Sequence, residues 1–90
     1  MVRPRFTGAF KRDRKRVGRR GKTLDKLDDL MRRLASEEKL EARFRDHKLS
    51  GEWKDFRECH LEPDWLLIYR TEADEITFVR TGTHSDLFDE

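Results

Sequence analysis

Two apolar runs late in the chain, separated by a polar tip, constrain the fold more than any other feature. Trp65-Leu-Leu-Ile-Tyr69 lies between the turn Glu62-Pro-Asp64 and the tip Thr71-Glu-Ala-Asp-Glu75. Ile76-Thr-Phe-Val-Arg80 follows and leads into Thr81-Gly-Thr-His84. Each run has the length, composition and bounding turns of a strand, so together they predict a hairpin. Alternation along the second run puts Ile76, Phe78 and Arg80 on one side and Thr77, Val79 and Thr81 on the other. An arginine at the mouth of an apolar strand face, followed by a Gly-containing loop and a histidine, marks this end as a candidate site. The hairpin brings His60 and Asp64, at its beginning, towards Arg80 and His84, at its end.

The rest of the chain supplies what packs on that hairpin. Thr23 caps a helix in which Leu24, Leu27, Leu30, Met31 and Leu34 recur at helical spacing. Such a stripe suits core packing against a sheet; its alternative is a face for a partner helix. Before it, Thr7 caps a helix from about Gly8 to Val17, with Phe10 and Val17 on one face, ended by Gly18. Val2 to Phe6, with Pro4, reads as a brief strand. Glu37 to Ser50 reads mostly as loop, and Trp53 to His60 as a strand entering the hairpin. Leu87 and Phe88 are apolar near a terminus and are expected to dock. This order predicts one α+β domain over residues 1–90. An N-terminal helical hairpin packs on one face of a mostly antiparallel, about four-stranded twisted sheet, and the other face is open for function.

Composition narrows the partners. With 44% of residues charged and 34% apolar, a chain of 90 residues has a small core. No apolar run is long enough to span a membrane and no signal-peptide pattern is present. A single cysteine cannot form an internal disulfide, which fits a reducing cytoplasm. The net charge of +2 hides an asymmetry. Residues 1–22 hold ten Lys/Arg and one acid, +9; the rest holds eleven basic and eighteen acidic residues, −7. Eight of those cations, Lys11, Arg12, Arg14, Lys15, Arg16, Arg19, Arg20 and Lys22, fall on the first helix and the connection after it. They predict a polyanionic partner, RNA above all, against the plainer reading of a solvated helix face.

Three histidines, His47, His60 and His84, each sit in a polar context near a turn. With Asp64 and Arg80 they make an acid/base set, since imidazole exchanges protons near neutrality and a guanidinium matches phosphate oxygens. Trp65 is a candidate for stacking on a base or for the hairpin core. Metal binding is disfavoured: Cys59 and His60 are adjacent in a strand and face opposite ways, and no pair has the usual ligand spacing. No cofactor motif is present, and Gly82 suits a tight turn rather than a phosphate loop.

At these residues the chain resembles the YafQ branch of the RelE/ParE toxin superfamily. The resemblance is carried by His60-Leu-Glu-Pro-Asp-Trp65 with the strand after it, by Arg80-Thr-Gly-Thr-His84 through Phe88, and by Asp46-His-Lys-Leu49 and Gly51-Glu-Trp-Lys-Asp-Phe-Arg57. It runs from about Phe6 to Phe88. Lys48 stands where the family often has proline, and Cys59 where a small residue is usual. The resemblance implies a small toxin of a type II toxin–antitoxin pair that cleaves messenger RNA on the translating ribosome. The matching functional positions are His47, His60, Asp64, Trp65, Arg80, His84 and Phe88, with Trp65 and Phe88 shaping the pocket or stacking. It also implies a cognate antitoxin and a complex that is heterotetrameric or larger. Two other readings are a superfamily member that poisons a protein target such as gyrase, which would not need three histidines, and a plain RNA-binding module built on the basic helix.

Overall fold

The hairpin forms as its sequence requires. In the computed structural model, which describes residues 1–88, β4 (Trp65–Thr71) and β5 (Glu75–Gly82) pair antiparallel across a short turn. Their inner faces are apolar, so both strands need cover, and the rest of the chain supplies it. β1 (Arg3–Phe6) adds parallel to β5, and β3 (Arg57–Glu62) adds antiparallel to β4. The two-residue β2 (His47–Lys48) completes a five-stranded sheet of order β1-β5-β4-β3-β2. The expected helical hairpin, α1 (Gly8–Arg19) and α2 (Leu24–Ala35), covers one face. Leu27, Leu30 and Leu34 of the leucine stripe are buried there against Leu67, Tyr69, Ile76 and Phe78.

Local chemistry fixes the helix ends. The Thr7 hydroxyl accepts from the Phe10 amide at 2.9 Å, capping α1, and donates to the Val79 carbonyl at 2.8 Å, tying that cap to β5. The helix runs through Gly18, rather than ending there, to Arg19. Gly18 serves close packing: a Cβ there would meet Leu24 at 3.2 Å. The reversal falls instead at Gly21, whose φ of 88° is in the left-handed region.

Three further features depart from the sequence reading. The segment between α2 and β3 is not only loop: it holds a 3-10 turn at Ala42–Phe44 and β2, which makes the sheet five-stranded rather than four. Trp53 belongs to a second 3-10 turn, Gly51–Trp53, and β3 begins only at Arg57. The helix-free face is partly covered. Leu66, Ile68 and Leu87 form a second apolar cluster with Trp53, Phe56, Val79 and Phe88. The docked tail, α3 (His84–Phe88), anchors there through an edge-to-face contact between Phe88 and Trp53.

Two bulges matter most for the site. In β5 the register jumps between Tyr69↔Phe78 and Ile68↔Arg80, so the simple alternation breaks at Val79. Beyond it Thr81, not Arg80, continues the helix-facing row of Ile76 and Phe78; Thr81 is fully buried and pairs in register with Leu67. In β3 the register jumps between His60 and Glu62. Bulges bend a strand and re-aim its side chains; here one lies opposite the start of β4 and the other opposite its middle, at Ile68 and Tyr69.

Candidate active site

The end of the sheet opposite the hairpin tip gathers the histidines. His47 comes from β2, His60 from β3 and His84 from the first residue of α3. The His47 and His60 rings lie 6.2 Å apart between centroids, His60 and His84 5.9 Å, and His84 and Phe88 6.4 Å. Strand alternation sends the neighbouring Cys59 the other way. It is fully buried against the helices and its thiol is pushed up by burial, so it is inert.

Each ring is held differently. His84 is fixed by Asp64, from the β3–β4 turn. One carboxylate oxygen accepts from the His84 amide at 2.9 Å and lies 2.7 Å from Nδ1. A carboxylate only accepts, so Nδ1 carries a proton and Nε2 is the ring atom left for proton exchange. These two bonds, the amide's first, hold the Asp64 carboxyl below its usual range. His60 is 8% exposed, and burial lowers its pKa from 6.5, with Glu58 pulling the other way. Its ring is therefore neutral near pH 7 and ready to take a proton. His47 Nδ1 lies 2.6 Å from the Arg45 carbonyl and its Nε2 3.0 Å from Glu58. Both partners accept, so each contact is a hydrogen bond when the ring nitrogen that makes it donates.

Glu58 is the member that sequence reasoning missed. It is 6% exposed, sits 3.9 Å from His60 Nε2 as well as against His47, and its other oxygen has no hydrogen-bond partner among the described residues. The signal was present: Glu58 and His60 are two apart in a strand and must share a face. Glu58→Gln keeps the shape and removes the charge that favours a protonated His60. The acidic limb of the rate profile should move to lower pH with a several-fold loss of rate, read from single-turnover rates across pH; an unmoved limb would remove Glu58 from the site.

Two predicted site residues are engaged away from the histidine row, Trp65 taking the second of its two readings. Trp65 is 1% exposed, sits in the helix-side core and donates from Nε1 to the Thr81 hydroxyl at 3.0 Å. Its ring is not free to stack on a base, because its position in β4 turns it to the helices. Arg80 reaches α1: its Nε and Nη2 donate to Asp13 at 2.6 and 3.1 Å, and the Thr81 amide donates to the same carboxylate at 3.2 Å. It lines a cleft with Arg12, Lys15, Arg16 and Arg19.

The basic stretch divides in two. Arg14, Arg16, Arg20 and Lys22 pair with Asp28, Asp13, Asp86 and Glu62. Lys11, Arg12, Lys15 and Arg19 have no carboxylate partner among the described residues, and all four are exposed. Arg20 also holds the Asp86 carboxyl of α3 far below its ordinary range, pinning the helix that carries His84.

A sequence profile for the bacterial toxin of type II toxin-antitoxin systems, YafQ, matches residues 2–89. The chain belongs to the YafQ toxin family. The mRNA interferase toxin YafQ of Escherichia coli K12 is 42% identical over 84 residues, 92% of this chain and 91% of that protein. The toxin in the E. coli DinJ–YafQ complex superposes with a TM-score of 0.91 at 39% identity, covering 98% of this chain and 99% of the other. A metal-bound toxin from Helicobacter pylori superposes equally well, with a TM-score of 0.91 at 39% identity over 98% and 100% of the two chains. In the YafQ-family chain described here, no group of three or more His, Cys, Asp or Glu among the described residues is placed to hold a metal. No helix of this toxin is long and apolar enough to cross a membrane.

Proposed function

We propose that this YafQ-family toxin is a ribosome-dependent endoribonuclease that cuts translated messenger RNA through attack of the RNA's own 2′-hydroxyl. The observation that carries this reading is the row of three imidazoles about 6 Å apart, one buried and neutral, one fixed by a carboxylate. His60 takes the proton from the 2′-hydroxyl. The 2′-oxygen bonds to phosphorus, and the bond to the 5′-oxygen breaks as His84 Nε2 delivers a proton to it. Asp64 orients His84, and His47 with Glu58 completes the proton network or contacts the phosphate. Arg80 supports the charge that builds on the phosphoryl oxygens. Phe88 packs at the rim beside His84. The products are a 2′,3′-cyclic phosphate and a 5′-hydroxyl.

Lys11, Arg12, Lys15 and Arg19 are the cations free to meet ribosomal RNA, and that contact weakens as salt rises. The partner that silences the toxin is a cognate antitoxin, as DinJ is found in complex with E. coli YafQ, in an assembly that is heterotetrameric or larger. The test is primer extension on a message under translation in a purified system, with and without ribosomes, with the ends of the fragments analysed. Discrete cuts only with ribosomes and cyclic-phosphate ends are expected. A 3′-hydroxyl end would overturn the scheme, and arrest without cuts would move the function to another target.

A further inference from the structure

Beside the histidine row lies a cavity of about 300 Å3 that no step above uses. β2 pairs only with Arg57 and Glu58, so β3 has no strand partner on that side from His60 to Glu62. The cavity opens along this edge, between the 3-10 turn Ala42–Phe44 and the β3–β4 turn. Arg43, Phe44, Arg45, His60 and Pro63 line it. Its size falls near the lower bound, roughly 300 Å3, of sites that take small organic ligands.

The lining has the chemistry of a nucleotide. The Arg43 guanidinium lies 4.7 Å from the centre of the Phe44 ring, a flat cationic surface of the kind on which unpaired bases stack. Neither Arg43 nor Arg45 pairs with a carboxylate among the described residues, whereas Arg33, 5.4 Å from the centre of the Phe44 ring, is taken by Glu38 and Glu41. Glu62 also lines the cavity, but Lys22 and Lys26 engage its carboxylate at 2.6 and 3.2 Å. His60, a wall of the cavity, is itself more than nine-tenths buried, and its Nδ1 has no hydrogen-bond partner in good geometry among the described residues. Arg45 is held at φ 49°, a strained conformation for a residue with a side chain. That geometry gives one residue two tasks. Its side chain walls the cavity and its carbonyl receives His47.

We propose that this cavity is a nucleotide subsite. It receives one unpaired nucleotide of the RNA next to the scissile bond, with the base on the Arg43–Phe44 surface and the phosphate on Arg45. The inference rests on the ribonuclease reading and adds to it the element that selects where the cut falls. Because Arg45 also holds His47, filling the cavity steadies one end of the histidine row.

Two measurements test it. The four 3′-nucleoside monophosphates are titrated into the full chain and followed by amide NMR, with inorganic phosphate as control. Saturable shifts at Arg43, Phe44, Arg45 and His60 are expected from at least one nucleotide, and are lost in the Arg43→Ala/Arg45→Ala double variant, whose dispersed spectrum shows that it folds. Equal shifts from phosphate mean an anion site only and overturn the proposal, as do shifts confined to Arg80 and His84. In the cutting assay the double variant loses base preference at one position beside the cut and its KM rises about tenfold, the scale of one lost stacking contact. Cutting by that variant with unchanged site choice overturns the subsite while leaving the ribonuclease reading intact. A wild type that never cuts overturns the ribonuclease reading, while the titration reads the cavity independently.

Discussion

Toxin carrying His84→Ala should cut a translated message about a hundredfold or more slowly than wild type, the scale of losing a general acid. The loss is chemical rather than structural. The amide of residue 84 still donates to Asp64, so the start of α3 keeps its anchor, and Leu87 and Phe88 still dock on the second apolar cluster. What disappears, in the proposed scheme, is the Nε2 group that delivers a proton to the departing 5′-oxygen. The pH profile separates this residue from His60. His60 must be neutral to accept a proton, and burial lowers its pKa from 6.5, so the acidic limb of the wild-type profile should fall below pH 6.5. His84→Ala should retain that limb at a reduced rate; His60→Ala should abolish it. The same shift acts on stability. A depressed folded value means the unfolded chain binds the proton more readily, so stability from a neutral His60 is full above about pH 6.5 and is lost as pH falls towards the folded value. Thermal unfolding of wild type and His60→Ala across pH 5–8 would show it as a loss of Tm towards acid that is smaller in the variant. Rates in His84→Ala within a few-fold of wild type would take this histidine out of the reaction.

Much of this architecture was legible because it rests on local periodicity. The leucine spacing of α2, the continuous apolar run of β4 and the alternation of β5 as far as Phe78 are statements about which side chains must be covered, and burial follows from them. What escaped are features that depend on register. A single extra residue at Val79 changes which of Arg80 and Thr81 faces the helices, and no composition signal announces it. The partner of Trp65 follows from that bulge: Thr81, turned inwards, accepts from the indole nitrogen, while the ring itself faces the helices with Leu67 and Tyr69 by the alternation of β4. β2 is two residues long and exists only because β3 offers it an edge, so a window-based reading has nothing to detect. Within the site, the histidines and Asp64 were visible as residue types clustered around turns, and the structure brings His47, His60 and His84 into one row. Glu58 was hidden among 44% charged residues, where one more acid carries no signal until its strand partner is known. Asp13 was hidden in the same way, as the only acid in a run read for its cations.

Asp13 is where the second large effect should appear. A carboxylate at 4% exposure in the middle of a basic helix holds Arg16, Arg80 and the Thr81 amide together, linking α1 to the end of β5. Asp13→Ala leaves two guanidiniums and a buried amide without their acceptor. Breaking a fully buried pair costs about 3–5 kcal/mol. Arg80 and Arg16 are 27% and 38% exposed, so water recovers part of that and about 2 kcal/mol is the expected loss. In a domain of this size that lowers Tm by roughly 10 °C. Asp13→Asn should fall between, since its amide oxygen still accepts from Thr81 but carries no charge. The effect on cutting is separable, because in the proposed reaction Arg80 presents its remaining N–H groups in a fixed direction to a phosphoryl group whose charge grows. Freed from Asp13, Arg80 should cost the toxin about tenfold or more in kcat at temperatures where the variant is fully folded. The double variant Asp13→Ala/Arg80→Ala should be no slower than Arg80→Ala alone, since the carboxylate acts through the guanidinium. Additive losses in that cycle would show that Asp13 serves the fold and not the direction of Arg80.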